Sequence, residues 1–135
     1  MAKYLLDTTV IIDYLRGKDK TVKLIRKLFF EGSFLGCCPI NIIEVYAGMK
    51  EKERKVTEEF IDSLENYKLT KEIAKQAGEY KKKYQREGIS LSLPDVAIAG
   101  IAVANDLILL TDNQKHYPMP KLKIYLPEQL WKKFE

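Results

Sequence analysis

Short apolar runs alternate along the chain with longer segments whose apolar residues recur at helical spacing. The runs at 3–6, 33–38, 107–110 and 122–125 have the length and apolar character of β-strands. The segments between them carry apolar residues three or four positions apart, which is typical of helices with one buried face. Strands that alternate with helices favour right-handed crossovers. The pattern therefore predicts an α/β fold, a three-layer sandwich with a parallel sheet between two helical layers.

Capping residues and glycines set the predicted helix boundaries. The first helix follows Asp7, with Thr8 or Thr9 as its cap, and it ends before Gly17. The other predicted helices span 21–30, 39–48, 49–66, 70–87 and 92–105. A short strand is predicted at 67–69, and the strand at 122–125 is the last predicted element.

The composition is that of a folded domain. With 135 residues, 46% of them hydrophobic and 31% charged, the chain suits one domain over 1–135 with its own core. No apolar stretch is long enough for a bilayer and no signal pattern opens the chain, so we expect a cytoplasmic protein without a membrane partner. Cys37 and Cys38 are adjacent and would point to opposite faces of a strand, which predicts buried thiols without a disulfide or zinc site.

The net charge gives only a weak indication of the partner. There are 23 Lys and Arg residues against 19 Asp and Glu residues, a net charge of +4. This mild excess of positive charge favours binding of a polyanion, but it does not require such a partner. If several acidic residues gather at one site, the remaining surface is more basic than the net charge suggests.

Acidic and amide residues follow the predicted strands or begin the predicted helices. Asp7 and the pair Asp112 and Asn113 come just after strands, while Glu44 and Asp95 lie in first turns of helices. Taken singly, each has an ordinary explanation as a helix cap, a surface residue or a turn former. Ligands of open α/β sheets bind beyond the carboxyl ends of the strands, where these residues are expected to meet. Carboxylate oxygens are ligands for Mg²⁺ or Mn²⁺, which suits phosphoryl transfer.

Four sequence blocks resemble those of PIN-domain nucleases, and of the VapC ribonuclease toxins in particular. In the family's order they are 5–12 (LLDTTVII) with 14–17 (YLRG), 39–48 (PINIIEVYAG), 94–99 (PDVAIA), and 109–113 (LLTDN) with His116 and Tyr117. The resemblance covers nearly the whole chain. It implies a five-stranded parallel sheet, a divalent metal ion, endonucleolytic cleavage of RNA, frequent homodimerisation and inhibition by a bound VapB-type antitoxin.

The resemblance also implies roles for individual residues. Asp7 and Asp95 match the main metal ligands, and Glu44 matches the acid that ligates through water or orients the attacking water. The fourth position stays open, because the family pattern of Thr, any residue, then Asp or Asn selects Asn113, whereas Asp112 carries the charge and can bind the metal through water.

Supporting residues lie around these acids. Thr8 and Thr111 are candidates to hydrogen-bond a ligand carboxylate or a phosphate. Three basic residues of the helix over 70–87 are candidates for contact with the RNA backbone: Lys82, Lys83 and Arg86. His116, the only histidine, is interpreted as structural, because a carboxylate-metal site does not need it as a base.

Two other functions compete with the nuclease. A haloacid-dehalogenase-like phosphohydrolase also begins with an Asp after its first strand, but it usually carries a second Asp two positions later, where this chain has Thr9. That alternative also leaves Glu44 without a role. A non-catalytic PIN-like module that only binds RNA or a partner would keep the fold without cleavage, and the intact acidic residues argue against it.

Overall fold

A five-stranded parallel sheet forms the centre of the protein in the computed structural model, which describes residues 2–134. The strands are β1 (Lys3–Leu6), β2 (Phe34–Cys37), β3 (Glu65–Asn66), β4 (Ile108–Leu110) and β5 (Lys123–Tyr125). Their order across the sheet is β3-β2-β1-β4-β5. In the register of the two central strands, Leu6 pairs with Leu110, so β1 and β4 end side by side.

Helices pack on both faces of this sheet, as the sequence pattern predicts. They are α1 (Thr8–Leu15), α2 (Asp19–Phe30), α3 (Pro39–Gly48), α4 (Arg54–Asp62), α5 (Lys71–Arg86), α6 (Leu93–Ala104) and α7 (Pro127–Lys133), with 3₁₀ turns at Glu51–Glu53 and Gln114–His116. One buried cluster joins the sheet to α5 and α6, and a second joins it to α1, α2, α4 and α7. The three-layer α/β sandwich is confirmed.

The adjacent cysteines show how strand geometry divides the core. Cys37, the last residue of β2, is buried in the cluster shared with α1 and α2, and Cys38 is buried in the cluster shared with α5 and α6. Both thiols are free, as the sequence predicts. Successive side chains of a strand point to opposite faces, so neighbours in sequence belong to different layers.

The predicted continuous helix over 49–66 is wrong. α3 ends at Gly48, and Met49 has an extended backbone (φ −76°, ψ 151°). The backbone N–H of Lys50 then donates a 2.7 Å hydrogen bond to the Glu53 carboxylate, which caps a new helical start. The charged, helix-favouring sequence continues across this break, so local propensity does not reveal it.

The strand predicted at 67–69 is displaced by two residues. β3 spans Glu65–Asn66 and pairs with the end of β2, where Glu65 lies opposite Gly36. A Cβ atom at Gly36 would overlap the ring of Tyr67, so the glycine makes room for that ring. The register of this edge strand therefore depends on a contact between residues distant in sequence.

The predicted helix caps are largely correct. Thr70 and Ser92 accept hydrogen bonds from the third residue of α5 and of α6 respectively. The cap of α1 is Asp7 rather than Thr8 or Thr9, since the Asp7 carboxylate accepts the Thr8 N–H. α2 begins at Asp19, two residues before the predicted start at Thr21.

One element lies beyond the predictions. α7 follows β5, begins at Pro127 and places Leu130 in the core. Its start is stabilised by a 2.8 Å hydrogen bond from the Leu126 N–H to the Gln129 side chain. Within residues 2–134, no helix has the length and apolar character needed to cross a membrane.

Candidate active site

Asp7 lies between the ends of the two central strands. It follows β1, and it accepts a 2.8 Å hydrogen bond from the Thr8 N–H and a 2.6 Å hydrogen bond from the Thr111 hydroxyl. The first N–H groups of a helix lack partners within the helix, so the carboxylate has a structural reason to lie there. Asp7 is only 5% exposed. Its carboxylate is therefore held in one orientation by two donors from different elements.

A second chain of hydrogen bonds holds Glu44. The buried Asn41 accepts the Cys38 N–H (2.9 Å) and donates to the Thr8 hydroxyl (3.0 Å). The Thr8 hydroxyl in turn donates to Oε1 of Glu44 (2.6 Å). From the sequence, Asn41 is expected only at the start of a helix, and this positioning role was not predicted. The signal available was its capping-box spacing from residue 38.

Asp95 occupies the first turn of α6 and contacts the segment that follows β4. The Tyr117 hydroxyl donates to Oδ1 of Asp95 (3.2 Å), and Nδ1 of His116 lies 3.4 Å from its Oδ2. From the sequence, His116 is expected to be structural, and Tyr117 has no expected role. Both residues contact a predicted metal ligand, and their position within the fourth block was the available signal.

Tyr117 connects Asp95 to the surroundings of Asp7. It is 3% exposed, and burial, followed by the charges of Asp7 and Asp95, raises the pKa of its phenol well above the usual range. The phenol therefore stays protonated and donates to carboxylate oxygen. Because both carboxylates act on one hydroxyl group, the structure brings Asp7 and Asp95 close together.

The fourth position contains two residues in different settings. The Asn113 N–H donates a 2.9 Å hydrogen bond to the Thr111 hydroxyl oxygen, which fixes the backbone after β4. Asp112 is largely exposed, but the partial loss of solvent around its carboxyl group raises the pKa of that group. The positive charge of Lys18 lowers this pKa, whereas the negative charges of Asp13 and Asp7 raise it. Asp112 therefore lies near both the Asp7 carboxylate and the Lys18 ammonium group.

The donor set suits a hard cation, although it is not a closed cage. Among the described residues, no three His, Cys, Asp or Glu side chains converge closely enough to hold a metal ion. Mg²⁺ commonly uses one or two protein carboxylates and completes its shell with waters and substrate phosphate. The ion pairs formed within 2–134 include neither Asp7 nor Glu44. Within this part of the chain, the Asp7 carboxylate is buried without a cationic partner, which favours binding of a cation there.

The three basic residues predicted to contact RNA lie in the last turns of α5. Lys82, Lys83 and Arg86 are exposed. Tyr84, between them, is buried, and its hydroxyl donates to the carbonyl of Pro118 (3.1 Å). The C-terminal end of α5 is therefore anchored to the segment that carries Tyr117.

Comparison with known proteins identifies the family. The model of the PIN domain family matches residues 4–122, a range that includes all five candidate acidic and amide residues. The chain belongs to the PIN domain family. This membership contradicts the haloacid-dehalogenase alternative and agrees with the order of the four sequence blocks.

Two curated relatives match most of this PIN domain. Ribonuclease VapC19 of Mycobacterium tuberculosis is 30% identical over 115 residues, which cover 85% of this chain and 92% of the relative. Ribonuclease VapC10 of the same species is 30% identical over 115 residues, which cover 85% of this chain and 86% of the relative.

Solved structures share the fold. VapBC of Salmonella typhimurium, in a DNA-bound crystal structure, superposes with a TM-score of 0.80 at 26% identity, over 94% of this PIN domain and 99% of that chain. VapBC2 of Rickettsia felis, bound to a fragment of its promoter, gives a TM-score of 0.80 at 20% identity, over 92% and 98% of the two chains. The five-stranded parallel arrangement is thus that of the PIN domain.

Proposed function

We propose that this PIN domain is a metal-dependent endoribonuclease and the toxin of a VapBC-type toxin–antitoxin pair. The observation that carries the proposal is the hydrogen-bonded network that holds Asp7 and Glu44 on either side of Thr8 at the edge of the sheet. The proposal of RNA as the substrate is supported by the relatives at 30% identity, which are named ribonucleases.

Asp7 and Asp95 are the proposed direct ligands of Mg²⁺ or Mn²⁺, and Glu44 and Asp112 are proposed to act through water. When bound, the cation offsets negative charge that develops on the scissile phosphate. Thr111 and Thr8 orient the carboxylates of Asp7 and Glu44 through their hydroxyl groups.

Glu44 is the proposed residue that orients the attacking water. Its Oε1 accepts the Thr8 hydroxyl, which leaves Oε2 to accept a hydrogen bond, and then a proton, from water. Tyr117, by contrast, keeps its proton and holds Asp95 as a donor. Asn113 contributes through its backbone, since its N–H fixes the Thr111 hydroxyl oxygen.

The RNA backbone is proposed to lie along the last turns of α5, against Lys82, Lys83 and Arg86. Their exposure and the anchoring of this helix end beside Tyr117 support the assignment. Ammonium and guanidinium groups bind phosphates without reading the base sequence, so these residues contribute affinity rather than choice of the cut site.

A VapB-type antitoxin and a second copy of the chain are the proposed protein partners. The names of the VapBC structural neighbours support the first. Both partners need apolar surface, and large apolar side chains are exposed at Phe30 (92%), Leu93 (70%) and Ile43 (65%). Glu44 follows Ile43 directly, so a partner that covers this part of α3 would also restrict access to the acidic residues.

The decisive experiment is cleavage of a pool of structured RNAs by the purified protein, with Mg²⁺ or Mn²⁺ and then with EDTA. Asp7→Asn is expected to lower the cleavage rate by about a hundredfold, because it removes a charged group that acts in the transition state. Asp62→Asn, an exposed change at the end of α4, is the matched control and should leave cleavage unchanged.

The outcomes separate the candidate functions. Metal-dependent cleavage that Asp7→Asn abolishes supports the nuclease. RNA binding without cleavage under any metal condition would instead support the non-catalytic binding module. Equal cleavage by wild type and Asp7→Asn would contradict the assignment of Asp7.

A further inference from the structure

A cavity of about 260 Å³ opens beside the candidate active site, between the start of α2 and α7. Its lining contains both charged and apolar side chains. Lys18 and Lys20 supply positive charge, while Leu24 and Trp131 supply apolar surface. Such a combination suits a ligand that has a flat apolar part and an anionic part.

The cavity adjoins the proposed chemistry. Asp112 lines it and immediately follows Thr111, whose hydroxyl is bonded to the Asp7 carboxylate. A ligand in the cavity is therefore separated from Asp7 by the short segment that follows β4. An RNA strand that presents a phosphate at Asp7 can place a neighbouring nucleotide here.

Trp131 forms a wall that the matched family region does not include. The PIN domain match ends at residue 122, whereas α7 spans Pro127–Lys133. Trp131 is partly buried, and it packs against the core cluster that also contains Leu24 and Leu28. One part of its ring system is thus fixed by the core, while another part lines the cavity, as a stacking platform requires.

The charges around the cavity favour a phosphate on the side of α2. Lys18 lies 3.4 Å from Asp13 and is partly neutralised by it. Lys20 forms no ion pair with any side chain among the described residues. On the other side, Glu128 is engaged with Lys132 (3.7 Å). Lys20 is therefore the cation best able to accept a phosphate.

We propose that this cavity binds one unpaired nucleotide of the RNA substrate, next to the phosphate that is cleaved. Its base stacks on Trp131, and its phosphate contacts Lys20, with Lys18 offsetting the charge of Asp112. The inference rests on the proposed ribonuclease function and adds a binding position that depends on α7. It predicts that single-stranded RNA is held at this end of the site.

Trp131 is the only tryptophan in the sequence, so tryptophan fluorescence reports on the surroundings of this one residue. The test uses the full chain with Asp7→Asn, to suppress cleavage, and a pool of single-stranded RNA oligonucleotides of random sequence. Binding is measured independently by the fluorescence anisotropy of the labelled pool. We expect Trp131 emission to be quenched with the same midpoint as the anisotropy change, because a base stacks on the indole ring.

Variants in the same background locate the contact. Trp131→Leu is expected to raise the dissociation constant about tenfold, as for the loss of one base-to-aromatic stacking contact, and Trp131→Phe is expected to restore most of the affinity. Lys20→Ala should also weaken binding and reduce its salt dependence. Lys23→Ala is the matched control, since Lys23 lies on the same helix but pairs with Asp19 (3.0 Å). If Trp131→Leu does not fold, the two lysine variants carry the comparison.

Each result bears on the cavity. Concerted quenching and the loss of affinity in Lys20→Ala but not Lys23→Ala support the proposal. RNA binding without a change in Trp131 emission overturns it, even if wild type cleaves RNA. An absence of RNA binding also overturns it, and the cleavage assay of the wild type then decides the nuclease proposal separately.

Discussion

The Thr111 hydroxyl donates a 2.6 Å hydrogen bond to Oδ2 of Asp7, although 104 residues separate them. The two residues meet because each directly follows a central strand, and the last residues of those strands, Leu6 and Leu110, are paired. The Thr111 oxygen also accepts the Asn113 N–H (2.9 Å). One buried hydroxyl group thus connects the carboxylate of the first sequence block to the backbone of the fourth.

Thr111→Val tests this connection. The substitution keeps the shape but removes the hydroxyl, which leaves a carboxylate oxygen and the Asn113 N–H without their partner. We expect the free energy of unfolding to fall by about 1–3 kcal/mol. We also expect slower RNA cleavage, because Asp7 loses one of its two orienting donors. Urea denaturation and the cleavage assay measure the two effects.

Thr111→Ser is the control for that variant, since it retains the hydroxyl group. Thr111→Ser should therefore retain most of the stability and activity that Thr111→Val loses. Equal losses in both variants would indicate that the methyl group, and not the hydrogen bond to Asp7, is what matters at this position.

Cation binding should be visible in the stability of the protein as well as in cleavage. With EDTA present, Asp7→Asn should be at least as stable as wild type, because Asn also caps a helix and carries no buried charge. Added Mn²⁺ should raise the melting temperature of wild type, since a cation at about 100 times its dissociation constant adds about 2.7 kcal/mol. Thermal unfolding with and without the ion measures this.

The comparison with variants makes the melting experiment specific. Asp7→Asn should lose most of the Mn²⁺-dependent shift, whereas Asp62→Asn should retain it. An equal shift in all three proteins would mean that the ion stabilises the fold at some place other than Asp7.

Much of the candidate site was predictable because its residues occupy strand ends and helix starts. Apolar runs and capping patterns locate such positions in a sequence, and a parallel sheet brings the carboxyl ends of its strands to one edge. Asp7 was predicted at the end of a strand, and Asp95 was predicted in the first turn of a helix. The choice between Asp112 and Asn113 was not, since both follow β4 and only their surroundings differ.

The residues that escaped prediction act through tertiary contacts. Asn41 reaches Thr8, 33 positions away, and Tyr117 reaches Asp95, 22 positions away. Neither spacing follows from helix or strand periodicity. The break at Met49 and the start of α7 at Pro127 were also missed. At both places a local hydrogen bond caps the new helical start, from the Lys50 N–H to Glu53 and from the Leu126 N–H to Gln129.

The buried thiol of Cys37 predicts a loss of stability at alkaline pH. Burial, and then the neighbouring Cys38, raises the pKa of Cys37 to about 12 from the ordinary value of 9.0. Between these values the unfolded chain releases a proton that the folded chain retains. The free energy of unfolding therefore falls as the pH rises from about 9 to about 12.

Cys37→Ala removes this titration. Relative to the variant, wild type should lose about 1 kcal/mol of stability when the pH rises from about 7 to about 10, and both can be followed by urea denaturation. The difference between the two proteins, rather than either value alone, isolates Cys37 from the other groups that titrate in this range. A difference that is the same at both pH values would refute the raised pKa.

The basic residues at the end of α5 are expected to contribute more to the salt dependence of RNA binding than the basic residues at its start. Lys82→Ala and Arg86→Ala, made in the Asp7→Asn background, should each weaken binding of single-stranded RNA and reduce the salt slope of the association constant by about one phosphate contact. Lys83→Ala is expected to act in the same way, although its ammonium group also lies over the Tyr84 ring, 5.4 Å from the centroid.

Lys71→Ala and Lys75→Ala are the matched controls, because these lysines are equally exposed but lie in the first half of α5. If RNA follows the end of α5 beside Tyr117, the controls should leave the salt slope unchanged. A uniform reduction across the whole helix would indicate attraction by net charge alone, since a diffuse field does not distinguish one turn of a helix from the next. A difference confined to the last turns therefore requires direct contact with phosphates there.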